Sequence, residues 1–148
     1  MKSKRIIDII CYLFILLFVY AAISKLLSLE RFVLQIGQSP ILYPYAKYLA
    51  VLVPATELIV SAFLSIDRYR LLGLYASFVL MTLFTLYIVA ILQFSEQVPC
   101  ACGGVLEVLG WKGHLFFNIA FVILAITGIV MIGRDRDEFQ GDANLASR

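Results

Sequence analysis

Two cysteines one residue apart, Cys100 and Cys102, stand in the segment Val98-Pro99-Cys100-Ala101-Cys102-Gly103-Gly104. Thiols this close do chemistry that packing does not need: they close on each other as a small strained disulfide, or they pinch a soft metal ion. Pro99 before the pair and Gly103 and Gly104 after it supply the turn-prone backbone that such a ring requires. Strain makes the bond easier to break by thiolate attack, so at an oxidising surface the pair reads as a redox centre. The chain's only histidine, His114, follows at the head of the next apolar run and is a candidate for stabilising a thiolate. Two thiolates and His114 would also suit Cu(I) or Zn(II), although zinc asks for a fourth ligand and the spacing is shorter than in usual zinc motifs. The third reading is a loop staple, or idle thiols, in a structural or carrier subunit.

The other polar residues that ask for a role lie inside apolar runs. Glu57 falls near the middle of one of them, where a carboxylate costs roughly 2.5 to 3.5 kcal/mol if left facing lipid. It must be protonated or paired across a bundle with a donor. Pro54, one turn earlier, removes a backbone donor and frees a carbonyl, which favours a kink or a local polar pocket. Lys25 and Asp8 sit near opposite ends of the first run, close enough to its boundaries to reach headgroups or water. His114 and Asn118 are four residues apart and share one helix face below the cysteine segment. Glu57, His114, Asn118 and Lys25 are therefore the supporting candidates around Cys100 and Cys102. Cys11 lies among Ile, Leu and Phe at the other end of the first run and reads as a small buried hydrophobe.

The elements that must position these residues follow from composition. The 148 residues are 62% hydrophobic with a mean hydropathy of +0.95, well beyond the roughly half that a soluble domain uses. Four segments, about 6–26, 48–66, 71–92 and 115–132, are long and apolar enough to cross a hydrocarbon core as helices. They are apolar all round, so periodicity does not say which face looks inward. Leu29, Phe32, Val33 and Ile36, with Glu30, Arg31 and Gln35 between them, predict a short amphipathic helix on the outer surface, ended by Gly37 and Ser39-Pro40. Tyr43, Tyr45 and Tyr48 mark an interface. The fold class is all-α: one membrane domain, 1–132, built as a four-helix bundle with a short surface helix and a cysteine-bearing outer loop. Residues 133–148 are polar enough to predict a disordered cytoplasmic tail.

Charge sets the orientation. The net charge of +2 gives no reason to expect nucleic acid as a partner. Eight of the twelve basic residues, among them Lys2, Arg68, Arg70 and Arg134, lie on one side of a four-span arrangement. Lys25, Arg31, Lys47 and Lys112 lie on the other. The positive-inside rule then puts both termini and the Asp67-Arg70 turn in the cytoplasm of a bacterium, and the cysteine pair in the periplasm, where disulfides persist. Lys2 to Arg5 followed by an apolar run and Ala22-Ile23-Ser24 also looks like a signal peptide, but the run exceeds the usual h-region. Cleavage there would leave the cysteines on the same side.

Taken together, the Lys25 segment, Pro54-x-x-Glu57-Leu58, and Cys100-Ala-Cys102-Gly103 before Trp111 and Asn118 resemble the MauE/DoxX family of redox-associated membrane proteins. The resemblance covers nearly the whole chain, and its cysteine element is the most specific part. It implies a compact four-helix membrane bundle, similar in outline to vitamin K epoxide reductase and DsbB. It also implies thiol-disulfide exchange at the outer face with Cys100 and Cys102 as the active pair, the activity of a thiol-disulfide oxidoreductase. The partner so implied is a periplasmic thioredoxin-like protein or a disulfide-containing client, as in maturation of methylamine dehydrogenase. This chain departs from the better understood relatives, which use a CxxC pair facing a quinone and a second outward pair as a shuttle. The departure bears on quinone use and on the direction of electron flow, and neither is assigned from the sequence.

Overall fold

The computed structural model describes residues 2–37, 42–94 and 105–146. Every regular element among them is helical: α1 (Lys2–Leu27), α2 (Leu29–Gly37), a short 3-10 turn at Tyr43–Tyr45, α3 (Ala46–Ser65), a second at Asp67–Tyr69, α4 (Arg70–Phe94) and α5 (Val105–Ala146). Four of these helices are long and apolar enough to cross a membrane, over Lys4–Leu27, Tyr43–Ser65, Asp67–Ala90 and Lys112–Asp135. The chain is a multi-pass membrane protein with an all-α bundle fold. The end carrying Lys25, α2 and Lys112 is called the outer end here, after the orientation expected from charge.

The helices form a ring in which α1 packs along α3, α3 on α4, α4 on α5, and α5 back on α1. Across the middle, α1 touches α4, whereas α3 and α5 make no close backbone approach among the described residues. Successive spans return from the end they reach, so each is antiparallel to its neighbours. Between α3 and α4 only the Asp67–Tyr69 turn intervenes, and the two helices approach closely at Gly73. A side-chain carbon there would stand 2.9 Å from the Leu64 side chain and 3.0 Å from its backbone nitrogen.

The core runs along the inner face of α1, where Phe14, Phe18 and Cys11 are buried with Leu64 of α3, Leu74 and Met81 of α4 and Ala125 of α5. Phe14 meets Phe121 of α5 edge to face at 5.2 Å. Cys11 is buried as a small core residue. Away from the core, large apolar side chains point outward on every span, which water would penalise and lipid does not.

The surface helix expected from the Leu29–Ile36 pattern is α2. Its apolar side packs Ile36, with Leu29, Phe32 and Val33, on Ala46, Ala50 and Leu49 of α3. Residues 38–41, which carry its expected Ser39-Pro40 stop, lie outside the described residues. α3 stays helical through Pro54, and the Thr56 hydroxyl donates to the Val53 carbonyl at 2.7 Å.

Two features differ from expectation. Asp8 does not only face headgroups: Arg70 donates to it at 2.5 Å and reaches Asp67 at 2.7 Å. The charges of the Asp67-Arg70 turn therefore tie α1 to α4 as well as biasing topology. The second concerns the polar segment after the last span, which is helical to Ala146 where a disordered tail was expected. Good helix formers such as Glu138, Gln140, Ala143 and Leu145 are consistent with that. α5 is not uniform at its other end, because Gly110 has φ 66° and ψ 170°. That left-handed backbone suits glycine and kinks the chain just before the span.

Candidate functional site

The strongest polar feature of the bundle lies in its outer half. The Lys25 ammonium on α1 donates to Oε1 of Glu57 on α3 at 2.6 Å. The Glu57 side chain is 0% exposed and that of Lys25 23% exposed. Glu57 therefore takes the second of its two sequence options, a donor across the bundle, and Lys25 turns inward instead of out to headgroups. Side-chain direction explains how residues at such different depths meet. Helical Cα–Cβ bonds tilt toward the helix N-terminus, so Lys25 at the outer end of α1 drops its ammonium into the bundle. Glu57, on the antiparallel α3, tilts outward to meet it. The short distance is that of a charge-assisted bond.

Two aromatic rings flank the ammonium. Phe84 of α4 has its centroid 5.5 Å away, and Phe32 of α2 lies at 5.9 Å. These are cation–π distances, and they bring α2 and α4 into the same site. Phe32 is thus more than packing for the surface helix, a role the sequence pattern did not reveal. Phe84 escaped notice for the same reason: an aromatic among aliphatics on an all-apolar span carries no signal of which way it points.

His114 and Asn118 come to the site on α5. The Phe14–Phe121 contact sets the relative heights of α1 and α5. Lys25 lies eleven residues beyond Phe14, roughly 16 Å, and His114 seven residues beyond Phe121, roughly 10 Å. Since the lysine side chain points back down α1, its ammonium comes to about the height of His114. Asn118, one turn deeper, is buried at 3% exposure. Its Nδ2, like Oε2 of Glu57, is buried with no hydrogen-bond partner. An unpaired amide donor and an unpaired carboxylate acceptor thus remain on α5 and α3, the two helices without a close backbone approach. Buried groups of this kind are exceptions that ask for a role.

Of the six residues singled out for chemistry, four are placed: Lys25 and Glu57 are bonded, His114 lies half-buried on α5, and Asn118 is buried one turn deeper on the same helix. Cys100 and Cys102 lie outside the described residues. Chain connectivity alone relates them to the site, since residues 95–104 join the outer end of α4, which carries Phe84, to the start of α5, which carries His114. Among the described residues no group of three His, Cys, Asp or Glu side chains is placed to hold a metal ion.

Neither a curated protein nor a solved structure matches the chain. A family model does: that of the methylamine utilisation protein MauE matches residues 3–131, a stretch that takes in the Lys25–Glu57 pair, the cysteine segment, His114, Asn118 and nearly all of the four spans, and the chain belongs to that family.

Proposed function

We propose that this protein exchanges thiols and disulfides at the outer face of a bacterial cytoplasmic membrane, with Cys100 and Cys102 as the exchanging pair. What supports the reading is the Lys25–Glu57 pair in the outer half of the bundle, at the end where residues 95–104, with the two cysteines, join α4 to α5. A bundle that only had to pack in lipid gains little from a buried ion pair, because desolvation offsets most of the Coulomb attraction. Lys25 and His114, both toward the outer end of their helices, offer a cation and a proton-accepting side chain, the surroundings in which a thiolate forms and reacts.

The exchange runs through a mixed disulfide. A thiolate of a periplasmic client attacks one sulfur of the Cys100–Cys102 bond. That bond breaks, and the other cysteine leaves as a thiolate. The client's second thiolate then attacks the mixed disulfide, so the client departs oxidised. Cys100 and Cys102 are left as a dithiol, having gained two electrons and, once protonated, two protons. A thioredoxin-like partner's disulfide takes the same two electrons by the same steps in reverse. When Cys100 or Cys102 attacks the partner's disulfide, its thiolate reacts best with a pKa near the ambient pH, and His114 is the residue on α5 that would set it. Glu57 and Asn118, with their unpaired Oε2 and Nδ2, extend the polar path inward.

The test is a redox titration of Cys100 and Cys102 by thiol trapping in a C11A background. A reversible transition well above about −300 mV supports exchange, since structural disulfides lie below that. A pair that resists reduction indicates a staple, and thiols that become reactive only after chelation indicate copper or zinc. In either of those cases the exchange reading fails.

A further inference from the structure

The geometry points to a binding site for an anionic phospholipid in the hollow between α2 and the start of α3. The hollow has a volume of about 900 Å³ and is open to the outside. It sits where the second span begins, at Tyr43, and is therefore at headgroup height. Its walls divide by chemistry. Val33 and Leu34 of α2, with Pro44, make an apolar side, and Lys47 with Tyr43 and Tyr48 makes a polar one.

The occupant follows from that division. Lys47 is the only charged residue among the described lining; it is exposed, and no ion pair to a described residue engages it. No carboxylate is among its described lining residues. An ammonium and two phenol hydroxyls offer hydrogen bonds to a phosphate and leave nothing to repel one. Tyrosines at this depth are the usual anchors of the membrane interface. On the apolar side Leu34 is 68% exposed, a surface that acyl chains cover and water does not. α2 keeps its polar residues Glu30 and Arg31 exposed while one apolar side packs on α3. A free phosphate would satisfy Lys47 and leave the apolar wall unused, so the lipid is the occupant that uses both. The site is separate from the Lys25–Glu57 pair and does not rest on the thiol-disulfide reading.

Native mass spectrometry of the full chain in detergent tests this, with phosphatidylglycerol and phosphatidylcholine of equal chain length as probes. Phosphatidylglycerol adducts should dominate, and K47Q should weaken them about fivefold, the effect of one basic residue on anionic lipid. K112Q, which removes an outer lysine that does not line the hollow, should leave them unchanged. Equal binding of the two lipids would overturn the proposal, as would an equal loss in K112Q. So would displacement of the lipid by millimolar inorganic phosphate, or a second copy of the chain bound in the lipid's place.

Discussion

Removing Lys25 should destabilise the bundle by an amount that depends on pH, and the structure sets both the size and the sign. In K25M the Glu57 carboxyl is left at 0% exposure with no cation. It cannot turn to water, so its least costly course is to take up a proton. From a solution pKa of about 4.3, that costs at most about 3.7 kcal/mol at pH 7. The ceiling falls by about 1.4 kcal/mol per pH unit, to about 1 kcal/mol at pH 5. The sign follows from proton counting. Between those pH values the folded variant binds a proton that the unfolded chain does not, so stability is lost as pH rises and recovered as it falls. E57Q should behave differently. The Lys25 side chain is 23% exposed near the bundle's outer end and can swing its ammonium to water, so the loss should be about 1 to 2 kcal/mol, close to that of one charge-assisted hydrogen bond. It should not vary between pH 5 and 7. K25M/E57M, which removes both charges and keeps apolar volume, should lie within about 1 kcal/mol of the parent or above it. The assay is equilibrium unfolding in mixed micelles, followed by circular dichroism at several pH values. A K25M deficit below about 1 kcal/mol at pH 7, or one independent of pH, would refute the view that this pair is an ionised link between α1 and α3.

Other perturbations follow from the same geometry. G73A should lose about 1 to 3 kcal/mol to overpacking, because its new methyl would stand 2.9 Å from the Leu64 side chain and 3.0 Å from its backbone nitrogen; thermal unfolding reads it, and a gain would mean that helix propensity outweighs the contact. N118L should be neutral or stabilising in the same assay, since the Asn118 Nδ2 it removes has no partner, and a loss above about 2 kcal/mol would show that the amide is satisfied in the membrane. D67N should change stability by less than about 1 kcal/mol, because that side chain is 85% exposed. D8N should cost more than D67N, because Asp8 is 42% exposed and its bond to Arg70 joins α1 to α4; equal effects would dissociate Asp8 from the α1–α4 contact. Replacing both Cys100 and Cys102 by serine should abolish exchange with a dithiol client while leaving the unfolding midpoint within error, whereas a staple would lose stability instead.

Most of the architecture was legible in the sequence because lipid is a demanding solvent. Spans of that length and polarity have few ways to satisfy their backbones, so the four helices, the outer surface helix and the inward position of Glu57 all follow from residue types and spacing. The same argument required that Glu57 have a partner, and it brought Lys25 to attention without joining them. Only the tertiary structure did that. Apolar residues all round each span erase the period that would mark an inner face, and side-chain direction in antiparallel helices brings together groups whose Cα atoms lie at different depths. The ring order of the helices, the cradling of the Lys25 ammonium by Phe32 and Phe84, and the tie from Arg70 to Asp8 were likewise hidden, because each depends on which helices are neighbours. Residue chemistry singled out the cysteine pair and the polar residues of the spans; packing decided that Lys25 meets Glu57, because a buried charge in hydrocarbon settles wherever the fold offers it an opposite one.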